Sequence, residues 1–246
     1  MILSVIIPAR NEKRWIPDTL DAALSAAEQL RRSQGAESAV AEVLVVDNDS
    51  DDGTDVVARG YVEAHGEGVR LLRLTERGAA RARNLGGRQA RGRILVFVDA
   101  DTRIPSDGLV RIVERCERDG YEGGISRLAS LDGGLRARVW WTFWEHVRRL
   151  PLPKAKAMPA LMFCTREVFD EFGPFDEAVA IGEEWPILAR LYQFRPRRFV
   201  YDRSLTALSS SRRMERQPFG YSRTFFKYLW AILHQSGRVR YTDRFR

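Results

Sequence analysis

Asp99-Ala100-Asp101 sets two carboxylates one residue apart, directly after the apolar run Ile94-Leu95-Val96-Phe97-Val98. At a strand end both can reach one hard cation from the same side of the chain. Mg2+ and Mn2+ take oxygen ligands and commonly keep positions open for substrate phosphates. Such a cation would act as Lewis acid and template on a departing diphosphate. A D-x-D pair alone is a weak signal, because a solvated turn has the same composition. Its place after a buried strand favours the metal. A second cluster, Asp47-Asn48-Asp49-Ser50-Asp51-Asp52-Gly53, follows another apolar run. A carboxylate or amide there can bond a base or ribose, while Ser50 to Thr54 also carry turn and capping chemistry. The alternating spacing and distal Glu of a calcium loop are missing. A third segment, Gly78 to Gly87, combines small residues with cations, Arg83 among them, and resembles a phosphate-approach segment. Its competing reading is a helix whose small residues pack on a sheet and whose arginines face water. The chain has neither a P-loop lysine nor a G-x-G-x-x-G, so kinase, NTPase and dinucleotide readings lose their main support.

The elements around these clusters follow from hydrophobic periodicity. Residues 2–7 are apolar except for Ser4 and end at Pro8, which predicts a strand. Ile16, Leu20, Leu24, Ala27 and Leu30 recur at helical spacing. Strands are predicted over residues 42–46, 69–74 and 94–98, and helices over 56–64 and 78–90, with Thr54 or Asp55 as a cap for the former. This alternation implies a Rossmann-like, mostly parallel sheet with right-handed crossovers, flanked by helices. Its continuous apolar strands imply cover on both faces. Ligands in such sheets bind beyond the carboxyl ends of the strands. Residues 8–12, 47–53 and 99–102 all lie there, so one pocket can gather all three. After about residue 120 the alternation weakens. A strand is predicted over 158–164, a short helix over 167–172 stopped by Gly173-Pro174, and a helix opened by Glu183 and Glu184. No repeat and no Gly/Ser-rich linker divides the chain. The expectation is a single α/β domain over 1–210, with a nucleotide-binding half (1–103) and an acceptor-binding half (104–210), followed by a basic amphipathic extension over 211–246.

Composition agrees with that reading. The 246 residues are 44% hydrophobic, enough to bury a core, and no 18-residue apolar run predicts a spanning helix. The apolar start lacks a basic leader and a small-residue cleavage site, so it reads as a strand rather than a signal peptide. Cys116 and Cys164 form no metal-spaced cluster and are expected as reduced thiols. The net charge of +7 is carried almost wholly by arginine and suits an anionic partner: a nucleoside diphosphate, a phospholipid surface or a nucleic acid.

Four ordered segments, Ser4-Val5-Ile6-Ile7-Pro8-Ala9-Arg10-Asn11-Glu12, Val45-Val46-Asp47-Asn48-Asp49-Ser50-Asp51-Asp52-Gly53-Thr54, Ala82-Arg83-Asn84-Leu85-Gly86 and Phe97-Val98-Asp99-Ala100-Asp101, resemble signatures of the family 2 glycosyltransferases. Gly173-Pro174-Phe175-Asp176-Glu177 and Gly182-Glu183-Glu184 resemble two more, and the likeness runs from residue 2 to about residue 200. Each motif is modest alone; six in order are specific. The resemblance implies a GT-A fold, a nucleoside-diphosphate sugar donor, a divalent metal (Mn2+ or Mg2+) and inversion at the anomeric carbon. It implies a donor site made by Pro8, Ala9, Glu12, Asp47, Asn48, Arg83, Asp99, Ala100 and Asp101. Asp101 would ligate the metal, and Asp99 would contact the metal or ribose. The base would be Glu184, with Glu183 as fallback, because Glu184 stands where the family usually has Asp. The role makes physical sense, since an acceptor hydroxyl must lose its proton as it attacks and a helix N-terminus keeps a carboxylate ionised. First-turn glutamates are also ordinary without such a role. Gln217-Pro218-Phe219-Gly220 does not supply the Gln-x-x-Arg-Trp of polysaccharide-extending members, so transfer is expected to be non-processive.

Trp140, Trp141, Phe143 and Trp144 can stack on sugars, sit at a membrane interface or simply pack a helix. The C-terminal 35 residues interleave arginines with aromatics, which suits a helix on an anionic bilayer or one folded back on the domain. The expected acceptor is a lipid-linked or cell-envelope glycan, and the expected place is cytoplasmic, with peripheral contact on the inner face of the membrane. A sugar nucleotidyltransferase would want a glycine-rich basic loop after the first strand, which Pro8 to Glu12 is not. A nucleic-acid binder would gather its cations on one reading element, whereas here they are spread, so no nucleic-acid partner is expected. A relative that binds without catalysis is the third alternative; the acids at 99, 101 and 184 speak against it.

Overall fold

The computed structural model describes residues 1–35, 40–131, 134–152, 159–178, 185–215 and 219–233. The first half runs β1 (Leu3–Ala9), α1 (Ile16–Ser33), β2 (Ala41–Asn48), α2 (Thr54–His65), β3 (Val69–Leu74), α3 (Ala79–Gln89) and β4 (Ile94–Val98). The second half runs β5 (Thr102–Arg103), α4 (Gly108–Glu117), β6 (Gly123–Ser130), α5 (Leu135–Arg149), β7 (Leu161–Thr165) and α6 (Arg166–Phe172). It closes with α7 (Trp185–Phe194), β8 (Phe199–Ser209), α8 (Arg212–Glu215) and α9 (Gly220–Leu233).

All eight strands form one sheet in the order β3-β2-β1-β4-β7-β6-β8-β5. The first four are parallel, as the β-α-β alternation predicts. Beyond β4 the sheet is mixed. β7 runs antiparallel to both β4 and β6, β6 is parallel to β8, and β5 is antiparallel to β8.

Successive residues of a strand point to opposite faces, and each face here has its own core. Leu3, Val5 and Ile7 meet Ile16, Leu20 and Ala23 of α1 and, with β4, Leu109 and Ile112 of α4. Ile6, Leu44, Val46, Leu95 and Phe97 face the opposite way, toward α3, α6 and α7. Helix α3 lies unusually close to the sheet. A Cβ on Gly86 would stand 2.3 Å from Ile6 Cγ2, and one on Gly87 would stand 2.5 Å from the Phe169 ring.

Several sequence expectations need correction. Neither Thr54 nor Asp55 caps α2. Gly53 takes the cap position with φ 88, and Asp52 Oδ1 accepts from the Thr54 N–H at 2.9 Å. Of the strand expected over 158–164, β7 takes in Leu161 to Cys164 and runs on to Thr165, Pro159 and Ala160 precede it, and Met158 lies outside the described residues. β6, β8 and α4 have no counterpart in the sequence reading. α7 starts at Trp185 with Pro186 in its first turn; Glu183 and Glu184 lie outside the described residues.

The aromatic segment is helix α5, and α9 packs against it. Trp140 meets Tyr221 with ring centroids 5.7 Å apart, and Phe143 meets Phe225 at 5.6 Å. Trp140 and Trp144 are thereby buried. Both cysteines are free thiols; burial pushes Cys116 up to about 12 and raises Cys164 further. Among the described residues no helix is long and apolar enough to cross a membrane.

Candidate functional site

The site forms where the strand order reverses. β1 leads through β2 to β3 on one side, and β4 lies on its other side, which opens a crevice beyond the carboxyl ends of β1 and β4. Pairing of β1 with β4 stops at Ile6 and Phe97, whereas pairing with β2 continues to Ala9 and Asp47. Pro8 lies in this last stretch of β1 and has no N–H to offer a neighbouring strand. The chain after β1 and the chain after β4 therefore diverge, and Asn11, Lys13, Trp15, Asp52 and Arg212 line a pocket beyond the end of β1.

Hydrogen bonds join the strand-end loops. Asn11 N–H donates to Ser50 Oγ at 3.1 Å, and Asn11 Oδ1 accepts from the Asp51 N–H at 3.0 Å. Glu12 N–H reaches Thr54 Oγ1 at 2.8 Å, and Lys13 N–H reaches Asp52 Oδ2 at 3.0 Å. Asn11 and Asp49 hold positive φ to turn these loops toward each other. This is the role of the second acidic cluster from Ser50 to Thr54: it fastens the loop after β2 to the loop after β1. The third loop is tied in by Thr19 of α1, whose hydroxyl donates to the Ala100 carbonyl at 2.8 Å.

Each D-x-D carboxylate meets an arginine. Arg83 Nη2 donates to Asp99 Oδ1 at 2.7 Å, and its guanidinium lies 5.8 Å from the centre of the Phe175 ring. Arg83 does not face open water as the packing-helix reading required. Asn84, buried beside it, donates to the Phe175 carbonyl at 3.0 Å and accepts from the Phe175 N–H at 2.8 Å, which fastens α3 to the Gly-Pro-Phe-Asp-Glu segment. On the other carboxylate, Arg212 Nε lies 3.3 Å from Asp101 Oδ2, and Arg212 Nη2 also donates to Glu12. Arg212 stacks its guanidinium 5.0 Å from the centre of the Trp15 ring.

Sequence reasoning counted Arg212 among the tail's cations and missed its place in the cleft. The available signal was the polar run Ser209-Ser210-Ser211-Arg212. With β8 recognised, that run becomes a fourth strand-end cluster beside the three already noted.

Asp47 and Asn48 sit at the end of β2, both buried. Asn48 Oδ1 accepts from the Gly78 N–H at 3.2 Å, which positions the start of α3. Asp47 Oδ1 is buried with no hydrogen-bond partner. Burial pushes the Asp47 carboxyl up, opposed by hydrogen bonds from Ser50. A buried acceptor without a donor is costly, and a ligand N–H or O–H would relieve it.

The donor set suits a hard divalent cation. Asp99 and Asp101 offer only oxygens, and among the described residues no group of three or more His, Cys, Asp or Glu forms a complete protein cage. Two carboxylates leave coordination positions for phosphate oxygens and water, the pattern Mg2+ favours. The guanidiniums of Arg83 and Arg212 already place positive charge against both carboxylates.

Comparison with known proteins identifies the family and the fold. Residues 4–169 match the model of the family described as glycosyl transferase family 2. A Drosophila melanogaster dolichyl-phosphate beta-glucosyltransferase is 47% identical over 129 residues, covering 50% of this chain and 39% of that protein. Glycosyltransferase AglE of Haloferax volcanii is 31% identical over 183 residues, covering 73% of this chain and 58% of that protein. The chain thus spans less than two thirds of either relative. In structure it superposes on the mannosyltransferase PcManGT of Pyrobaculum calidifontis, solved with GDP-Man and Mn2+, with a TM-score of 0.65 at 24% identity, covering 85% of this chain and 56% of that one. The fold is thus the GT-A type of mixed α/β sheet that the sequence motifs implied, and the chain belongs to glycosyl transferase family 2.

Proposed function

We propose that this chain transfers a sugar from a nucleoside-diphosphate sugar to an acceptor, with the donor in the crevice beyond β1 and β4. The observation that carries this is the joining of the strand-end loops around Glu12 and Asp101, whose side chains are only 5% and 11% exposed and are both paired with Arg212. Two carboxylates and a guanidinium are thereby gathered at the carboxyl ends of the strands, where ligands of such sheets bind. Asp47 and Asn48 would receive the base or ribose, Pro8 and Ala9 would line the wall, and Arg83 would steady Asp99. Mn2+ or Mg2+ on Asp101 and Asp99 would neutralise the leaving diphosphate. PcManGT, with GDP-Man and Mn2+, is the solved precedent for such a donor on this fold. The two halves, 1–103 for donor and 104–210 for acceptor, follow from this division, with 211–246 as an extension that contributes Arg212.

The acceptor class we propose is a lipid phosphate, as the name of the Drosophila relative suggests for that protein. The α5–α9 surface supports membrane proximity. Leu135, Val139 and Phe143 recur every fourth residue on α5 and are 78%, 62% and 43% exposed, with Phe226 of α9 at 65%. Arg136, Arg138 and Arg223 lie among them in sequence. An apolar ridge among arginines suits an anionic bilayer surface, so the chain would act peripherally on the cytoplasmic face, in cell-envelope or lipid-linked glycan synthesis.

A phosphate acceptor changes what the base must do. A phosphomonoester is largely ionised at pH 7 and attacks without losing a proton in the transition state. Glu184 is then a base only for hydroxyl acceptors, and transfer remains inverting in either case. The function is tested by incubating the protein with labelled UDP- and GDP-sugars, a polyprenyl phosphate and Mn2+, with and without EDTA. Metal-dependent label in the lipid phase supports the proposal; label in neither phase with any donor refutes it.

A further inference from the structure

Arg212 is held in place from several directions. Its own N–H donates to Ser210 Oγ at 3.2 Å, and the Ser210 N–H donates to the Asp101 carbonyl at 3.2 Å. Ser211 Oγ accepts from Trp141 Nε1 of α5 at 2.9 Å. Farther along, Tyr221 of α9 donates to Glu215 Oε1 at 3.2 Å. The side chain is 13% exposed, one face lies on the Trp15 indole, and its edge points at Asp101 and Glu12. The residue is thus a rigidly placed fork at the D-x-D loop, supplied by the segment after β8.

The charges around it favour different partners in different states. Without ligand, one guanidinium faces two carboxylates, an arrangement that satisfies the arginine. A divalent cation on Asp101 repels Arg212 and competes for the same carboxylate. A diphosphate reverses this, because it offers the guanidinium a bidentate anion while the cation takes Asp101. We propose that Arg212 is a donor-diphosphate ligand which, in the absence of donor, occupies the cation side of Asp101 and Glu12. This rests on the reading of the crevice as a nucleoside-diphosphate sugar site.

The consequence is a change of opposite sign for two ligands. The full chain is compared with Arg212→Met and Arg212→Lys by measuring Mn2+ alone from the loss of its free-ion EPR signal. Binding of inorganic pyrophosphate at saturating Mg2+ is measured by calorimetry. Arg212→Met should bind Mn2+ about tenfold more tightly, since the competing cation is gone, and pyrophosphate about tenfold or more weakly. Arg212→Lys keeps the charge without the fork, so Mn2+ binding should stay near wild type while pyrophosphate weakens several-fold. The lysine variant also serves should the methionine variant fail to fold. Pyrophosphate affinity within twofold of wild type in either variant overturns the proposal, as does a parallel fall of both affinities, which is what a purely structural role gives. If wild type binds neither ligand, the donor-site reading falls and takes this proposal with it; binding by wild type with unchanged variants removes this proposal alone.

Discussion

Arg83 of α3 and Asp99 of the loop after β4 meet at 2.7 Å, and the bond spans two elements that approach the crevice from different sides. The helix can bring Arg83 there because Gly86 lets α3 lie against Ile6 of β1. Asp99 is 38% exposed at its side chain, so water can take over when the arginine is removed and the stability cost should stay under about 1 kcal/mol. The orientation of the carboxylate would be lost. Arg83→Met should therefore leave the melting temperature within a few degrees of wild type and raise the donor Kd about tenfold. Thermal unfolding and donor titration on the same preparation check both halves.

Asp47 should trade stability for binding. Burial raises its pKa in the folded state, so the fold favours the protonated form. Stability from that group is fully present below the ordinary aspartate value, about 3.9, and is lost as the pH rises through the raised folded value. Asp47→Asn removes the charge, so it should melt higher than wild type at pH 7, with the difference closing in acid. It should also bind nucleotide more weakly at pH 7. Melting curves across pH with a nucleotide titration decide it; a variant less stable than wild type at pH 7 contradicts the argument.

Asp202 should behave in the opposite sense. Burial pulls its carboxyl up, but hydrogen bonds from Arg115 at 2.7 Å and from Ser204 outweigh this and hold it below the ordinary range. Its stabilisation is present above the unfolded aspartate pKa and is lost as the pH falls through the depressed folded value. Asp202→Asn leaves the one-third exposed Arg115 with Asp119 alone and should cost about 1–2 kcal/mol at pH 7. The cost should shrink in acid, where wild type loses the same charge. Urea unfolding at pH 7 and at successively lower pH measures both.

Glu184→Gln separates the acceptor classes. With a hydroxyl acceptor, loss of the base should cut turnover roughly a hundredfold or more with donor binding intact. With a polyprenyl phosphate the loss should be less than about tenfold, since the nucleophile is already ionised. Steady-state rates with each acceptor decide it. Normal turnover on a hydroxyl acceptor would move the base to Glu183 or elsewhere.

The parts that sequence made legible are those whose residues carry a local signal. β4 begins and ends where the apolar run does, and β1 and β2 differ from expectation only at their ends. β6 carried no such signal. Its Gly123-Gly124 opening has poor strand propensity, yet a Cβ on Gly124 would stand 2.3 Å from the Val200 carbonyl oxygen, so those glycines answer to β8 rather than to their own chain. Without β6 and β8 the end of the sheet that delivers Ser209 to Arg212 could not be foreseen. Arg212 lies 111 residues from Asp101 and 200 from Glu12, and only the sheet order brings them together. The D-x-D loop, the acidic loop and Arg83 were legible because each follows or opens an element whose period is strong. What the acidic loop mainly does, fasten one strand end to the next, appears only with both loops in place.

The most direct test of the donor-site account is a thermal-shift comparison of wild type and Asp101→Asn with UDP, GDP, dTDP and CDP, each with Mn2+, Mg2+ or EDTA. A ligand that binds only the native state must raise the melting temperature. The account predicts a rise for wild type with at least one nucleotide, present with metal, abolished by EDTA and absent in Asp101→Asn. No rise with any nucleotide, or an equal rise in the variant and in EDTA, would contradict it.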